Sequence, residues 1–487
     1  MTKLNKKMSA ILVLSLAAVL TGCVGGNTSS SAEPSTSSQP TSTVEVYNGE
    51  AVTISFYHTM GTNLEPKLVA AIERFNQKYP NITVKQSKIG GYNDVRDQIK
   101  TEISVGAQPN LAYCYPDHVA LYNQAKAVRT LDDFINSDLE QVDANGDVTK
   151  FGLTDAQKAD FIQGYYEEGK AFGDGLMYSL PFSKSTEVLY YNKTFFDANN
   201  LTVPTTWDEL EAVARQIKTI EPASVPLGYD SEGNWFITMA EQYGNAYTAA
   251  AKKVDDRFLF DNAGNKAFVK EFAEWYKDGL VTTQTLYGSY TSGLFTNLTP
   301  DENGQLIRSL MCIGSSAGAT HQRPTKVGDE YPFEVGIAPM PQVDKNNPKA
   351  IQQGPSVTMF KSTPQKEAAS WLLLEFLTTD VAFQAEFSEA SGYIPVIKSV
   401  LQNEDFQAYL AQANTTTHVS ALSTKVALEM ESAYYTSPAF IGSSAARDQV
   451  GNIICAAMTA AKQNQLTDAK LDDIFADAID ECVYNTK

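Results

Sequence analysis

Hydrophobic positions along the body of the chain switch repeatedly between two periods. Ala51 to His58 is a short, continuous run of β-branched and aromatic residues, which predicts a buried strand. In Leu64 to Lys78 the apolar residues Leu68, Ala71, Ile72 and Phe75 fall at helical spacing, and Pro80-Asn81 ends the helix. A second strand is predicted over 82–86, a second helix over 95–105 and a third strand over 110–114. A β-α-β-α-β opening of this kind predicts a parallel sheet with right-handed crossovers. Parallel sheets present ligands at the carboxyl ends of their strands. His58 to Gly61, Gly90 to Tyr92 and Tyr115 to Asp117 are therefore expected around one cleft.

The alternation continues. Residues 151–173 read as polar and helical, 177–181 and 187–191 as strand segments, and 192–200 as a short helix. Thr206 is placed to cap a helix whose first turn holds Asp208 and Glu209. Further helices are predicted over 232–243, 265–278, 366–379, 381–390 and 445–461, and strands over 310–313, 334–338 and 355–360. The class is α/β throughout, with no repeat of fixed period.

The first segment breaks the pattern. Lys3, Lys6 and Lys7 precede a largely apolar run from Met8 to Leu20, too short to span a bilayer and of the size of a signal peptide's apolar region. It ends in Leu20-Thr21-Gly22-Cys23, which resembles the bacterial lipobox. The resemblance implies removal of residues 1–22, a diacylglycerol on Cys23, and a body lipid-anchored to the cell membrane on its extracellular side; plain secretory cleavage is the alternative. In Gly25 to Thr43, 11 of the 19 residues are Ser or Thr. Such a segment buries too little apolar surface to offset its ordering entropy, so residues 23–46 are expected to be a flexible tether.

Composition narrows the field. The 487 residues carry 38 Lys and Arg against 57 Asp and Glu, a net charge of −19. That balance excludes a nucleic acid or an anionic surface held by general electrostatics. Five cysteines and the four histidines His58, His118, His321 and His418 are too scattered for a structural zinc site. A Cys455–Cys482 bridge and buried free thiols both remain open. Asp143 to Asp147 looks like the start of a calcium loop, but Val148 stands at the sixth position and Thr154 at the twelfth, where glycine and glutamate are needed. No cofactor or metal is implied.

Six stretches in order carry a family likeness. They are Phe75 to Pro80 with the strand after it, Ile103 to Asn110, Leu180 to Lys193 running on into Thr202 to Leu210, Cys312 to Ser316, Ala368 to Leu372, and Ser391 to Val396. Together they resemble the extracellular solute-binding proteins of ABC importers, within the group that includes maltose-binding and glycerol-3-phosphate-binding proteins. The resemblance implies two α/β lobes joined by hinge crossovers, with a ligand cleft between them. It places crossings near 183–187, 313–317 and 354–357. Residues 47–183 with 313–354 are then expected in lobe 1, and 184–312 with 355–487 in lobe 2. It also implies a monomer that captures a carbohydrate-like solute and delivers it to the transmembrane permease subunits without chemistry.

Candidate site residues follow from the strand ends and from the resemblance. Tyr115 and Asp117 lie at the predicted cleft. His58 and Asn63, Ser185, Ser315 and Ser316, Gly354, and the aromatics Trp235 and Tyr393 match ligand-facing positions of the family. A sugar is held by aromatic stacking on its C–H faces and by hydrogen bonds to its hydroxyls. Trp207, Trp275 and Trp371 sit at core spacing. The glycerol-3-phosphate binders carry an arginine where this chain has Phe440; Arg447, seven residues on, and Lys184, in the first crossover, could each supply a cation, but neither matches the family pattern. The departure favours a neutral sugar or oligosaccharide over a glycerophospho compound. Two rivals stand beside this reading. An anchored carbohydrate-active hydrolase would need a carboxylate pair, for which Asp117 and Glu187 are the nominees. A sensor or adhesion lipoprotein would reuse the fold.

Overall fold

A computed structural model describes residues 44–486. Cys23, the expected signal segment and most of the expected tether lie outside the described residues. Val44 and Val46 already pack against a core, so the expected tether boundary at residue 46 falls inside the folded body.

The first sheet is built from β1 (Val52–His58), β2 (Ile82–Lys88), β3 (Leu111–Cys114), β4 (Val128–Arg129), β7 (Ser179–Pro181) and β14 (Ser356–Phe360), with β5 (Glu140–Val142) and β6 (Val148–Lys150) forming a separate hairpin. Its order is β2-β1-β3-β14-β4, and β7 also pairs with β14. β1 runs parallel to β2 and β3, as the opening pattern predicts. β14 joins antiparallel to β3, β4 and β7, so the sheet is mixed. The Asp143 to Asp147 stretch is the turn of the β5–β6 hairpin, where Asp143 Oδ1 accepts the backbone N–H groups of Asn145 and Asp147.

The second sheet contains β8 (Glu187–Asn192), β9 (Leu227–Tyr229), β10 (Val281–Thr283), β11 (Met311–Ser315) and β12 (Val335–Pro339), in the order β10-β9-β11-β8-β12. Two short strands, β13 (Ala350–Ile351) and β15 (Tyr434–Tyr435), pair with each other near the crossovers.

The helices of eight residues or more are α1 (Glu65–Lys78), α2 (Tyr92–Ile103), α3 (Pro116–Gln124), α4 (Trp207–Ile220), α5 (Glu232–Tyr243), α6 (Ala263–Lys277), α7 (Pro364–Thr379), α8 (Val381–Glu389), α9 (Glu404–Ala411), α10 (Val419–Glu429), α11 (Ser443–Lys462) and α12 (Asp468–Tyr484). The Thr206 cap is formed: its side chain accepts the Glu209 N–H while Glu209 reaches back. Residues 151–173 break into two short helices and a 3-10 turn instead of one helix. Trp207, Trp275 and Trp371 are buried.

Two large apolar cores divide the body. One gathers residues from Tyr47 to Phe182 and Val357 to Phe406. The other gathers Val188 to Ile351 and most of Val419 to Cys482. The expected lobe boundaries are therefore corrected. β12 pairs with β8, which keeps 313–354 largely with the second sheet. β14 pairs with β3, which returns 355–411 to the first. The chain crosses after β7 and again before β14, and 412–418 leads into α10 and back to the second core. The Ser-rich stretch at 313–317 turns at a strand end without crossing. Composition is the same in both cases, and only the strand partner tells them apart. The four described cysteines, Cys114, Cys312, Cys455 and Cys482, are free thiols.

Candidate functional site

The crossovers bring the two lobes together around a cleft of about 540 Å³, counted with its open mouth. Tyr115 and Asp117 line it from the first lobe, Tyr247 and Arg447 from the second, and Gln352 and Gln353 from the hinge. Tyr115 is the residue before α3, directly after β3, so it and Asp117 stand at a strand end that opens on the cleft.

Arg447 occupies the second-lobe wall. Its Nη2 donates to Asn234 Oδ1, and its guanidinium lies 5.8 Å from the centre of the Tyr115 ring. Among the described residues it has no carboxylate ion-pair partner. Across the cleft, the Asp117 Oδ2 is buried without a hydrogen-bond partner, 4.0 Å from His118 Nε2. Burial pushes the His118 imidazole down to about 4, so it offers Asp117 no charge at neutral pH.

Beneath Arg447 lies a buried polar chain. Asn234 Nδ2 donates to Glu187 Oε1 at 2.9 Å and to Gln353 Oε1 at 2.8 Å. Tyr229 Oη donates to Glu187 Oε2 at 2.6 Å. Burial raises the Glu187 carboxyl to about 7, against the opposing pull of these donors. Both Glu187 oxygens are engaged, so Glu187 serves as an organiser of the cleft floor.

Beside Tyr115 the first lobe carries a tyrosine cluster. Tyr92 and Tyr393 hydroxyls are 3.0 Å apart, and the Tyr92 ring is 4.8 Å from that of Tyr115. All three are partly exposed. Burial raises each phenol above its ordinary value, which keeps them neutral donors.

Several expected site residues stand elsewhere. Trp235 is fully buried and stacks between Tyr229, 4.6 Å away, and Phe272, 4.2 Å away. It is a core residue of the second lobe. His58 is fully buried; Nδ1 accepts the Met60 N–H, and Nε2 meets Gln86 Oε1, which fixes the proton on Nε2. Neither nitrogen is left for a solute. Asn63 is exposed in the turn before α1. Gly354 has φ +92°, and a Cβ there would come within 2.5 Å of Ser183 O, so its backbone makes room for the chain's own first crossover.

The serines tie the crossovers together. Ser185 exchanges backbone bonds with Gln353, and Ser315 Oγ donates to Ser185 Oγ at 3.3 Å. Ser316 is fully buried, with its Oγ 3.4 Å from the Thr186 N–H and its carbonyl accepting from Ser423. Lys184 is buried in an ion pair with Glu168 and also donates to Ser356 Oγ at 3.1 Å. Phe440 is buried, its ring 6.2 Å from that of Phe258.

Asn234 and Gln353 were not anticipated. Asn234 adjoins Trp235 on α5, and one residue turns a helix by roughly 100°. The right stretch was in view, but the face was misjudged.

The profile of the family described as bacterial extracellular solute-binding protein matches residues 70–414. The sn-glycerol-3-phosphate-binding periplasmic protein of Yersinia pestis is 24% identical over 378 residues, covering 75% of this chain and 79% of its own. The crystal structure of UgpB from Mycobacterium tuberculosis, in complex with glycerophosphocholine, superposes with a TM-score of 0.67 at 16% identity, over 89% of this chain and 98% of that one. The GacH receptor of Streptomyces glaucescens, solved unliganded and with acarbose, gives 0.65 at 15% identity, over 88% and 98%.

Proposed function

The chain belongs to the bacterial extracellular solute-binding proteins, and from that premise we propose that it is the capture component of an ABC import system for a carbohydrate-like solute. The solute class is a sugar, an oligosaccharide or a glycerophospho compound. The observation that carries the reading is the convergence of Tyr115 and Asp117 from one lobe with Arg447 from the other, over a floor where Asn234 of the second lobe meets Gln353 of the hinge. Arg447 offers donors, Asp117 offers an acceptor, and the tyrosines offer apolar faces with hydroxyl edges. That set matches a polyhydroxylated guest, with or without a phosphodiester.

Two strand-like crossovers and the 412–418 return let the lobes swing. A guest that touches both lobes binds the closed arrangement better and shifts the population toward it by that difference. The permease then reads the closed surface. The chain acts as a monomer, anchored through the lipid on Cys23 at the outer face of the cell membrane. Among the described residues no helix is long and apolar enough to cross a membrane. The hydrolase alternative loses support because both Glu187 oxygens are held by Tyr229 and Asn234.

A thermal-shift panel of sugars, oligosaccharides, glycerol-3-phosphate and glycerophosphodiesters tests the reading. A binder at 100 times its dissociation constant stabilises the protein by about 2.7 kcal/mol. Silence across the whole panel would refute the solute class.

A further inference from the structure

Neighbouring residues on α11 face different tasks. Arg447 reaches toward the cleft, where it meets Asn234 and Tyr115. Asp448 reaches the other lobe: its Oδ2 accepts from Arg96 Nη1 at 2.8 Å. The same Nη1 donates to Ser444 Oγ at 3.1 Å, one turn earlier on α11. Arg96 lies on α2, whose Val95 and Ile99 pack with Ala112 and Cys114 of the first sheet. α11 buries Val450, Ile453 and Ile454 in the second-lobe core. These bonds therefore span the two lobes.

The remaining edge of Arg96 is held within its own lobe. Its Nε is 2.8 Å from Asp97 Oδ1, and its Nη2 is 3.3 Å from Asp97 Oδ2. The Arg96 side chain is 11% exposed and that of Asp448 39%.

We propose that Arg96 is a positioning residue for closure, latching α2 of the first lobe to Asp448 and Ser444 on α11 of the second and so raising affinity for a solute it does not touch. The planar fork of a guanidinium suits this task, since one edge can be fixed by Asp97 while the other is presented to a partner. Asp97 also keeps a counter-charge on Arg96 when the lobes part. Opening thus costs one charge-assisted bond and one hydroxyl bond without stranding a bare cation, and the latch stays reversible. Because Asp448 follows Arg447, solute capture and latching act on the same turn of α11. The inference rests on the hinged solute-binding reading, but its readout needs no solute.

The test is small-angle X-ray scattering of the whole chain without added solute, for the wild type, Arg96→Met, Asp448→Ala, the double variant and Arg96→Lys. Each single neutralising variant should enlarge the radius of gyration, with the closed-to-open ratio falling about fivefold, the size of a well-made ion pair. The double variant should go no further than either single, and Arg96→Lys should retain most of the closed population. Unchanged scattering in folded Arg96→Met and Asp448→Ala would overturn the proposal, as would a double variant equal to the product of the singles. If Arg96→Met fails to fold, Asp448→Ala, at the more exposed partner, decides the matter. A negative solute panel would leave this result standing, so the two readings fail separately.

Discussion

Lys184 and Glu168 form a buried ion pair where the chain crosses between the lobes, with Gln352 and Ser356 donating to the same carboxylate. Removing one partner of such a pair strands the other charge, at a cost of about 3–5 kcal/mol. Lys184→Met should lower unfolding stability by that amount in urea, and adding Glu168→Gln should recover part of it. A loss below 1 kcal/mol would show that the pair does not brace the pivot.

Glu187 sets a pH dependence of stability. In the unfolded chain its carboxyl titrates near its ordinary value of 4.5, whereas in the fold it holds its proton to about 7. The folded state binds more protons between those values, so stability falls as pH rises through that window, by about 3 kcal/mol from this group. Below 4.5 and above 7 its contribution is flat. Glu187→Gln should remove this share of the slope in melting temperature against pH. Glu375, also raised to about 7 by burial, keeps its own share. An unaltered slope in Glu187→Gln contradicts the assignment.

Trp235 should behave as packing. Trp235→Ala should cost about 3–5 kcal/mol of stability, while Trp235→Phe should bind the strongest panel compound with an affinity within threefold of the wild type, about 0.7 kcal/mol at most. A large affinity loss in a stable Trp235→Phe protein would return this residue to the binding surface.

Arg447 should behave in the opposite way. Arg447→Gln should weaken binding of the same compound at least about tenfold, since hydrogen bonds to charged groups contribute about 1.5–3 kcal/mol. Stability should change little, because no carboxylate ion-pair partner is lost. Calorimetric titration and a denaturant curve on the same preparation separate the two effects.

The fold was largely legible because its first half obeys local rules. β1, α1 and β2 follow from a β-branched run, a helical stripe and a proline stop, and their parallel pairing follows from the crossover helix. α3, α9, α10 and the strands β9 and β10 were not foreseen; the two strands have only three residues each, too few for a period to show. The lobe boundaries were misplaced because a Ser- or Gly-containing strand end reads alike whether the chain crosses or turns. In the cleft, the strand-end rule pointed to Tyr115 and Asp117; Tyr393, bonded to Tyr92, was proposed from family likeness, whereas Arg447 was nominated only as a nearby cation outside the family pattern. Trp235 and His58 were not legible as core residues, since an aromatic or imidazole ring suits a core as well as a cleft. Only the ring neighbours Tyr229 and Phe272, and the bond from His58 to Gln86, distinguish the two.

The central claim is capture of an intact solute between the lobes. Isothermal titration of the whole chain with the panel compound of largest thermal shift, followed by mass analysis of the recovered compound, tests it most directly. The account predicts a saturable heat with one compound bound per chain and recovery of that compound unchanged. A turnover heat with cleaved product, or binding that survives removal of both Tyr115 and Arg447 side chains, would contradict it.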